Sequence, residues 1–181
     1  MSVTPVLILP GWQGSGPGHW QSRWEALHGF QRVEQHDWMR PLRGDWSMRL
    51  EETLLGLDAS TPAVLVAHSL GCQLVAAWAA HSRQTRRVKA ALLVAPADPE
   101  REALRAVLPS WSPPALQPLP FRSTVIASRN DPYCPWARSQ AFAQAWGSAL
   151  LDAGQAGHLN ADSGLGDWPW GHAQLLSFMN D

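Results

Sequence analysis

The sequence predicts an α/β fold, a three-layer sandwich built on a parallel sheet of about six strands. Three observations carry this. Short, continuous apolar runs alternate with helix-length segments along the whole chain. The runs lack the in-and-out alternation of a half-exposed sheet, so both faces are covered. And the 181 residues, 45% hydrophobic and 16% charged with a net charge of −1, suit one compact domain over residues 1–181.

Val6–Leu9 is the first run, ended by Pro10-Gly11. A glycine-rich loop, Gly11 to Gly18, leads to a helix from about His19 to His28, where Trp20, Trp24 and Leu27 fall at i, i+4 and i+7 and predict a buried stripe. Gln31–His36 reads as a second strand, and Asp45 or Ser47 can cap a helix through about Leu57. Ala63–Ala67 is a third strand, and Leu70–His81, nearly all apolar or small, a helix buried on most sides. Val88–Ala95, Ser123–Ala127 and Ser148–Asp152 complete the strands. Pro135 opens a helix to about Trp146, and Gly171–Met179 forms the last helix. Residues 96–120 hold seven prolines, which limits them to a short helix near Glu100–Val107 and an irregular crossing, too short for a large lid domain.

Composition narrows the function classes. The near-neutral charge offers no global footprint for nucleic acid; Arg83, Arg86, Arg87 and Lys89 follow a helix end, where cations suit the dipole and solvent. No apolar run approaches the ~20 residues of a membrane span, and the start lacks a basic, then apolar, leader pattern, so a cytoplasmic protein is expected. Cys72 and Cys134 are too few for a disulfide framework or a cysteine metal site, and the seven histidines show no HExxH spacing. No cofactor or metal is expected. Eleven tryptophans stand against one tyrosine; Trp12, Trp111, Trp136, Trp168 and Trp170 fall in loops, where they are candidates to wall a site.

The chemistry centres on Val64-Leu65-Val66-Ala67-His68-Ser69-Leu70-Gly71. A serine between a buried strand and a buried helix is the setting of a nucleophile elbow, in which a strained turn lifts the hydroxyl above the sheet. The alternative is a helix-capping serine. Small residues are needed two positions either side; Gly71 satisfies one, and Ala67 stands where glycine is usual. In this setting, the α/β-hydrolase fold, the acid and then the base follow the nucleophile in the chain. Asp98 and Asp131 both follow strand ends. Asp131 is favoured, flanked by Asn130 and Pro132 after the fifth strand, while Asp98 suits a helix cap. For the base, His158 lies in a glycine-flanked loop after the sixth strand, and His172 at the start of the last helix.

The glycine loop admits two readings. A dinucleotide cradle would pair it with Glu34 or Asp37 about twenty positions on, but glycines at 11, 14, 16 and 18 do not spell GxGxxG, and Pro17 removes an N–H. An oxyanion loop would supply the backbone N–H of Trp12 beside that of Leu70.

These residues resemble the small serine hydrolases grouped with bacterial YdeN and the retinoblastoma-binding serine hydrolase of animals. The resemblance runs through Pro10-Gly11-Trp12, Gly14-Ser15, His19-Trp20-Gln21, His68-Ser69-Leu70-Gly71, Ser128 to Tyr133, Gly157-His158-Leu159-Asn160 and Ser163-Gly164-Leu165-Gly166-Asp167-Trp168-Pro169. It implies a minimal α/β-hydrolase, a triad of Ser69, Asp131 and His158, no metal, and esterase-like activity on small acyl substrates. The nearest string to the animal proteins' Leu-x-Cys-x-Glu motif, Leu70-Gly71-Cys72-Gln73-Leu74, lacks the glutamate, so no protein partner carries over. Carboxylesterase, thioesterase, amidase and peptidase chemistry stay open within the class, and a catalytically idle binding protein on the same fold is the competing class.

Overall fold

The computed structural model describes residues 3–180. Six strands form one parallel sheet: β1 (Val6–Leu9), β2 (Gln31–Arg32), β3 (Ala63–His68), β4 (Val88–Val94), β5 (Arg122–Ala127) and β6 (Ala149–Asp152), in the order β2-β1-β3-β4-β5-β6. Six helices cover it: α1 (Trp20–His28), α2 (Arg43–Leu55), α3 (Leu70–His81), α4 (Glu102–Arg105), α5 (Trp136–Trp146) and α6 (Pro169–Met179). This is an α/β-hydrolase fold, with no large lid among the described residues.

The continuous apolar strands become two cores because successive side chains leave opposite faces of a sheet. Leu7, Leu9, Leu65, Ala67, Ala91, Leu93 and Val125 pack against α2, α3 and α5. Val6, Ile8, Val64, Val66, Leu92 and Ile126 pack against α1 and α6. Each fully buried Val, Leu or Ile contributes about 1.5–3 kcal/mol of transfer free energy.

Several boundaries differ from the sequence reading, each for a physical reason. The second strand was expected to reach His36 and stops at Arg32. Its partner β1 ends at Leu9 and is followed by Pro10, which has no N–H to extend the ladder; Val33 makes the final bond, to the Ile8 carbonyl at 2.9 Å. Helix α2 starts at Arg43, before both expected caps, because Ser110 Oγ from a distant loop accepts the Arg43 N–H at 3.1 Å. The last helix begins two residues early with Pro169 in its first turn. The short helix expected over residues 100–107 narrows to α4, four residues long. Leu27 is not in the α1 stripe: Trp20 and Trp24 are buried, whereas Leu27 is 57% exposed.

The strand order decides where a site can form. From β1 the chain crosses to β2 on one side, and from β3 to β4 on the other, so the carboxyl ends of β1 and β3 flank a topological switch point. The glycine loop leaves β1 there, and Ser69 leaves β3.

Candidate active site

Ser69 sits between β3 and α3 with φ 56° and ψ −118°, a strained conformation for a non-glycine residue. Three bonds impose it. Ser69 N–H donates to the Val94 carbonyl at 3.0 Å, and the Ser69 carbonyl accepts from Cys72 N–H at 3.1 Å and Ala97 N–H at 3.3 Å. Ser69 makes no side-chain capping bond to α3, so its hydroxyl is free for other work. The small neighbours are set by β1. A Cβ on Gly71 would stand 2.3 Å from the Leu9 carbonyl oxygen, and one on Gly11 would stand 2.9 Å from Ser69 Cβ. Ala67, opposite Leu9 in the ladder, is fully buried, and its methyl group is absorbed in the core.

The structure brings Ser69, His158 and Asp131 together. Ser69 Oγ lies 2.8 Å from His158 Nε2. His158 Nδ1 lies 2.9 and 3.0 Å from the two Asp131 carboxylate oxygens. A carboxylate only accepts, so it selects the tautomer with hydrogen on Nδ1 and leaves Nε2 to accept from the serine. Asp131 Oδ1 also accepts the Tyr133 N–H at 2.8 Å, which turns the carboxylate toward the imidazole. Both residues are buried.

Asp98 and His172 stand elsewhere. Asp98 accepts the Glu100 N–H at 3.1 Å and faces Arg138, so it shapes the turn leading into α4. His172 stacks on His28 with ring centres 4.2 Å apart and packs edge-on against Trp24, joining α6 to α1 away from Ser69.

The base loop is held by residues that sequence reasoning passed over. Asn130 Oδ1 accepts the Gly157 N–H at 2.8 Å, and Ser128 Oγ accepts the Ala156 N–H at 2.9 Å, so the acid loop braces the base loop. Trp20 Nε1–H donates to the Leu159 carbonyl at 2.7 Å. Gln21, fully buried, donates to the Leu9 and Val66 carbonyls and accepts from Ser15 Oγ at 2.7 Å; it ties the glycine loop to β1 and β3. His68 Nε2 lies 2.9 Å from the His158 carbonyl oxygen. Burial holds the His68 imidazole well below the usual histidine range, with His158 and His19 acting in the same direction, so it is neutral at pH 7. The sequence marked some of these groups, Trp20 in a buried stripe and Asn130 beside the acid, and all but Ser15 lie in the resembling strings at 19–21, 68–71 and 128–133, but it did not mark the bonds they make.

The glycine loop is not an open phosphate cradle. Gly14 N–H bonds to the Gly11 carbonyl and Gln13 N–H to the Trp38 carbonyl, so two donors are already taken. Asp37, a candidate ribose ligand of the nucleotide reading, accepts the Met39 and Arg40 N–H groups. Gly11, by contrast, abuts Ser69 and the Leu70 nitrogen.

A cavity of about 310 Å³ opens over Ser69. Of the loop tryptophans only Trp12 lines it. Trp111 and Trp168 are drawn into the two cores, Trp136 lies under Arg129, and Trp170 faces solvent against Trp168. The apolar wall comes instead from α4 and the residues just after it, as Leu104 and Leu108. Burial pushes the Cys72 thiol well above its usual range and Cys134 up to about 12, so neither cysteine is a competing nucleophile. No helix among the described residues is long and apolar enough to cross a membrane.

Comparison with known proteins gives concordant results. The chain superposes on a YdeN-like hydrolase from Pectobacterium atrosepticum with TM-score 0.85 and 31% identity, covering 98% of this chain and 91% of the other. The ydeN product of Bacillus subtilis matches with TM-score 0.78 and 23% identity over 99% and 100% of the two chains. An esterase from Thermogutta terrifontis shares the fold at TM-score 0.67 and 17% identity, over 97% and 80%. A search of curated proteins finds no match. The family model described as "Serine hydrolase" matches residues 6–177, nearly the whole chain, and the chain belongs to that family.

Proposed function

We propose that this protein is a carboxylesterase-like serine hydrolase that cleaves small acyl substrates through an acyl-enzyme on Ser69. The observation that carries the reading is the unbroken hydrogen-bonded relay from Ser69 Oγ through His158 to Asp131. In the first step His158 Nε2 takes the hydroxyl proton as Ser69 Oγ attacks the carbonyl carbon. Asp131 stabilises the imidazolium. The oxyanion is received by the Trp12 and Leu70 N–H groups, which line the cavity and take part in no turn or loop bond among the described residues. Leu70 is the first residue of α3, so the helix dipole adds to its donor. Each such donor is typically worth ~3 kcal/mol of barrier. His158 then protonates the leaving group, and water repeats the sequence to release the acid.

The test is labelling with a fluorophosphonate, read by intact mass and peptide mapping, followed by turnover of short-chain esters and thioesters. Stoichiometric modification at Ser69, absent in Ser69→Ala and His158→Ala, is expected together with ester turnover. Folded protein that takes no label would instead point to a catalytically idle binding protein.

A further inference from the structure

The cavity over Ser69 adjoins a second one of about 460 Å³, and four residues, Tyr133, His158, Asn160 and Asp162, line both. The base therefore stands where the two cavities meet. Their lining carries one sign of fixed charge. Among the described residues no lysine or arginine lines either cavity, and Asp162 is the only acidic residue in both linings. His19 and His68, which also line the first, are neutral at pH 7 because burial lowers both. A cleft lined by one sign of charge concentrates substrates of the other sign.

Asp162 is held in this place. It lies in a single 3-10 turn, Ala161–Ser163, shortly after the base. Asn160 Oδ1 accepts the Asp162 N–H at 3.2 Å, and Ser163 Oγ accepts the Asn160 N–H at 3.2 Å while donating to the Ala156 carbonyl at 2.7 Å. Other carboxylates near the site are already engaged: Asp131 with His158, Asp98 with Arg138 and Asp167 with Arg23. Asp162 is exposed, and its carboxylate makes no hydrogen bond or ion pair among the described residues. It is left for a ligand.

Aromatic residues stand beside it. Trp12 lines the first cavity, and Tyr133, 42% exposed, lines both, with its ring centre 4.5 Å from that of His158. Carboxylate and aromatic faces together suit an alkylammonium group, whose charge the carboxylate balances and whose methyl or methylene surface packs on the rings.

Resting on the acyl-transfer reading above, we propose that the Ser69 site takes cationic substrates: small esters bearing an ammonium group, recognised by Asp162 with Trp12 and Tyr133, in preference to neutral esters of the same shape.

The charge can sit on the alcohol or on the acyl chain, and two pairs of esters distinguish them. Butyrylcholine is compared with 3,3-dimethylbutyl butyrate, and ethyl 4-(trimethylammonio)butyrate with ethyl 5,5-dimethylhexanoate. Each pair exchanges a quaternary nitrogen for carbon and keeps the shape. The readout is the cationic-to-neutral ratio of kcat/KM, measured in the wild type and in Asp162→Asn. Comparing the two proteins cancels the intrinsic reactivity of each ester and any general loss of turnover. The ratio is expected to fall about tenfold in the variant, as for one partly solvated charge contact. The pair in which it falls identifies the half of the substrate that carries the charge. In the wild type the ratio is also expected to shrink in high salt, because an exposed carboxylate is screened. Asp162→Ser serves if the asparagine variant does not fold. A ratio unchanged by the substitution in both pairs, or cationic esters that the labelled protein does not turn over, overturns the proposal. Fluorophosphonate labelling of Ser69 in the same preparations separates the two failures: no labelling overturns the acyl-transfer reading with it, whereas labelling with unchanged ratios overturns the assignment of Asp162 alone.

Discussion

His68 Nε2 lies 2.9 Å from the carbonyl oxygen of His158, so the residue before the nucleophile holds the backbone of the residue that activates it. The bond spans 90 positions of sequence and joins β3 to the loop after β6. Because His68 is neutral and buried, its Nε2–H is a fixed donor, and the distance between Ser69 Oγ and His158 Nε2 is set partly from behind.

Replacing His68 by phenylalanine preserves the ring volume and removes the donor. The buried His158 carbonyl then lacks its partner, at a cost of about 1–3 kcal/mol in stability. Turnover is expected to fall roughly tenfold through kcat, with KM little changed, because the base loop loses its anchor while the cavity walls remain. His68→Gln, which can still donate, is expected to recover part of the loss. Steady-state kinetics on a short-chain ester, beside thermal melts, check both. An unchanged kcat in His68→Phe would show that Trp20 and Asn130 hold the loop without it.

The two glycines at the turn are expected to separate stability from activity. A methyl group at Gly71 meets a backbone carbonyl at 2.3 Å, which cannot move without breaking the β1–α3 contact. Gly71→Ala is expected to lose at least ~3 kcal/mol or not to fold. A methyl group at Gly11 meets Ser69 Cβ at 2.9 Å, so Gly11→Ala displaces the nucleophile by a few tenths of an ångström. It is expected to stay folded and lose most of its activity. Circular dichroism melts and fluorophosphonate labelling rates distinguish the two outcomes.

Much of this arrangement was readable in the chain. Continuous apolar runs gave a parallel sheet, and chain order after Ser69 pointed to Asp131 and His158. The residues that hold the site were harder to read for a physical reason. Gln21 looks like an ordinary polar residue on an amphipathic helix, yet it is fully buried because β1 and β3 end beneath it with carbonyls to satisfy. His68 reads as a strand terminus, and its partner comes from a loop 90 positions later in the chain. Ser110 caps a helix 67 residues earlier in the chain. Such contacts depend on tertiary placement, which local periodicity does not encode. Among the tryptophans, loop position suggested a walled site, but the large rings of Trp111 and Trp168 are worth more in the core than at a rim.

The two candidate acids give a third test. In Asp131→Asn the amide presents a donor as well as an acceptor to His158 Nδ1, which permits the wrong tautomer. Turnover is expected to drop by roughly 10⁴-fold, with fluorophosphonate labelling slowed in parallel. Asp98→Asn loses its ion pair with Arg138 and is expected to change kcat less than about threefold, since that pair is partly solvated. A collapse of activity in Asp98→Asn with Asp131→Asn active would reverse the assignment.

Acid should destabilise the protein through its buried histidines, and the sign follows from proton counting. His19 is lowered to about 4 in the folded state from the ordinary 6.5, and burial moves His68 in the same direction. Between those pH values the unfolded chain binds more protons than the folded one, so stability rises with pH across the window and is lost as pH falls through it. His68 packs edge-on against His19 at 4.6 Å, and His158 and Arg32 act on His19 in the same direction as its burial. They offer no carboxylate contact to rescue its protonated form. The contribution of His19 is full above about pH 6.5 and is reduced by roughly 3 kcal/mol once pH falls below 4. Urea denaturation at intervals from pH 7.5 to 4.5 is expected to show a falling midpoint, with a shallower fall in His19→Asn. Parallel curves for the two proteins would mean that His19 protonates as freely in the fold as in the unfolded chain.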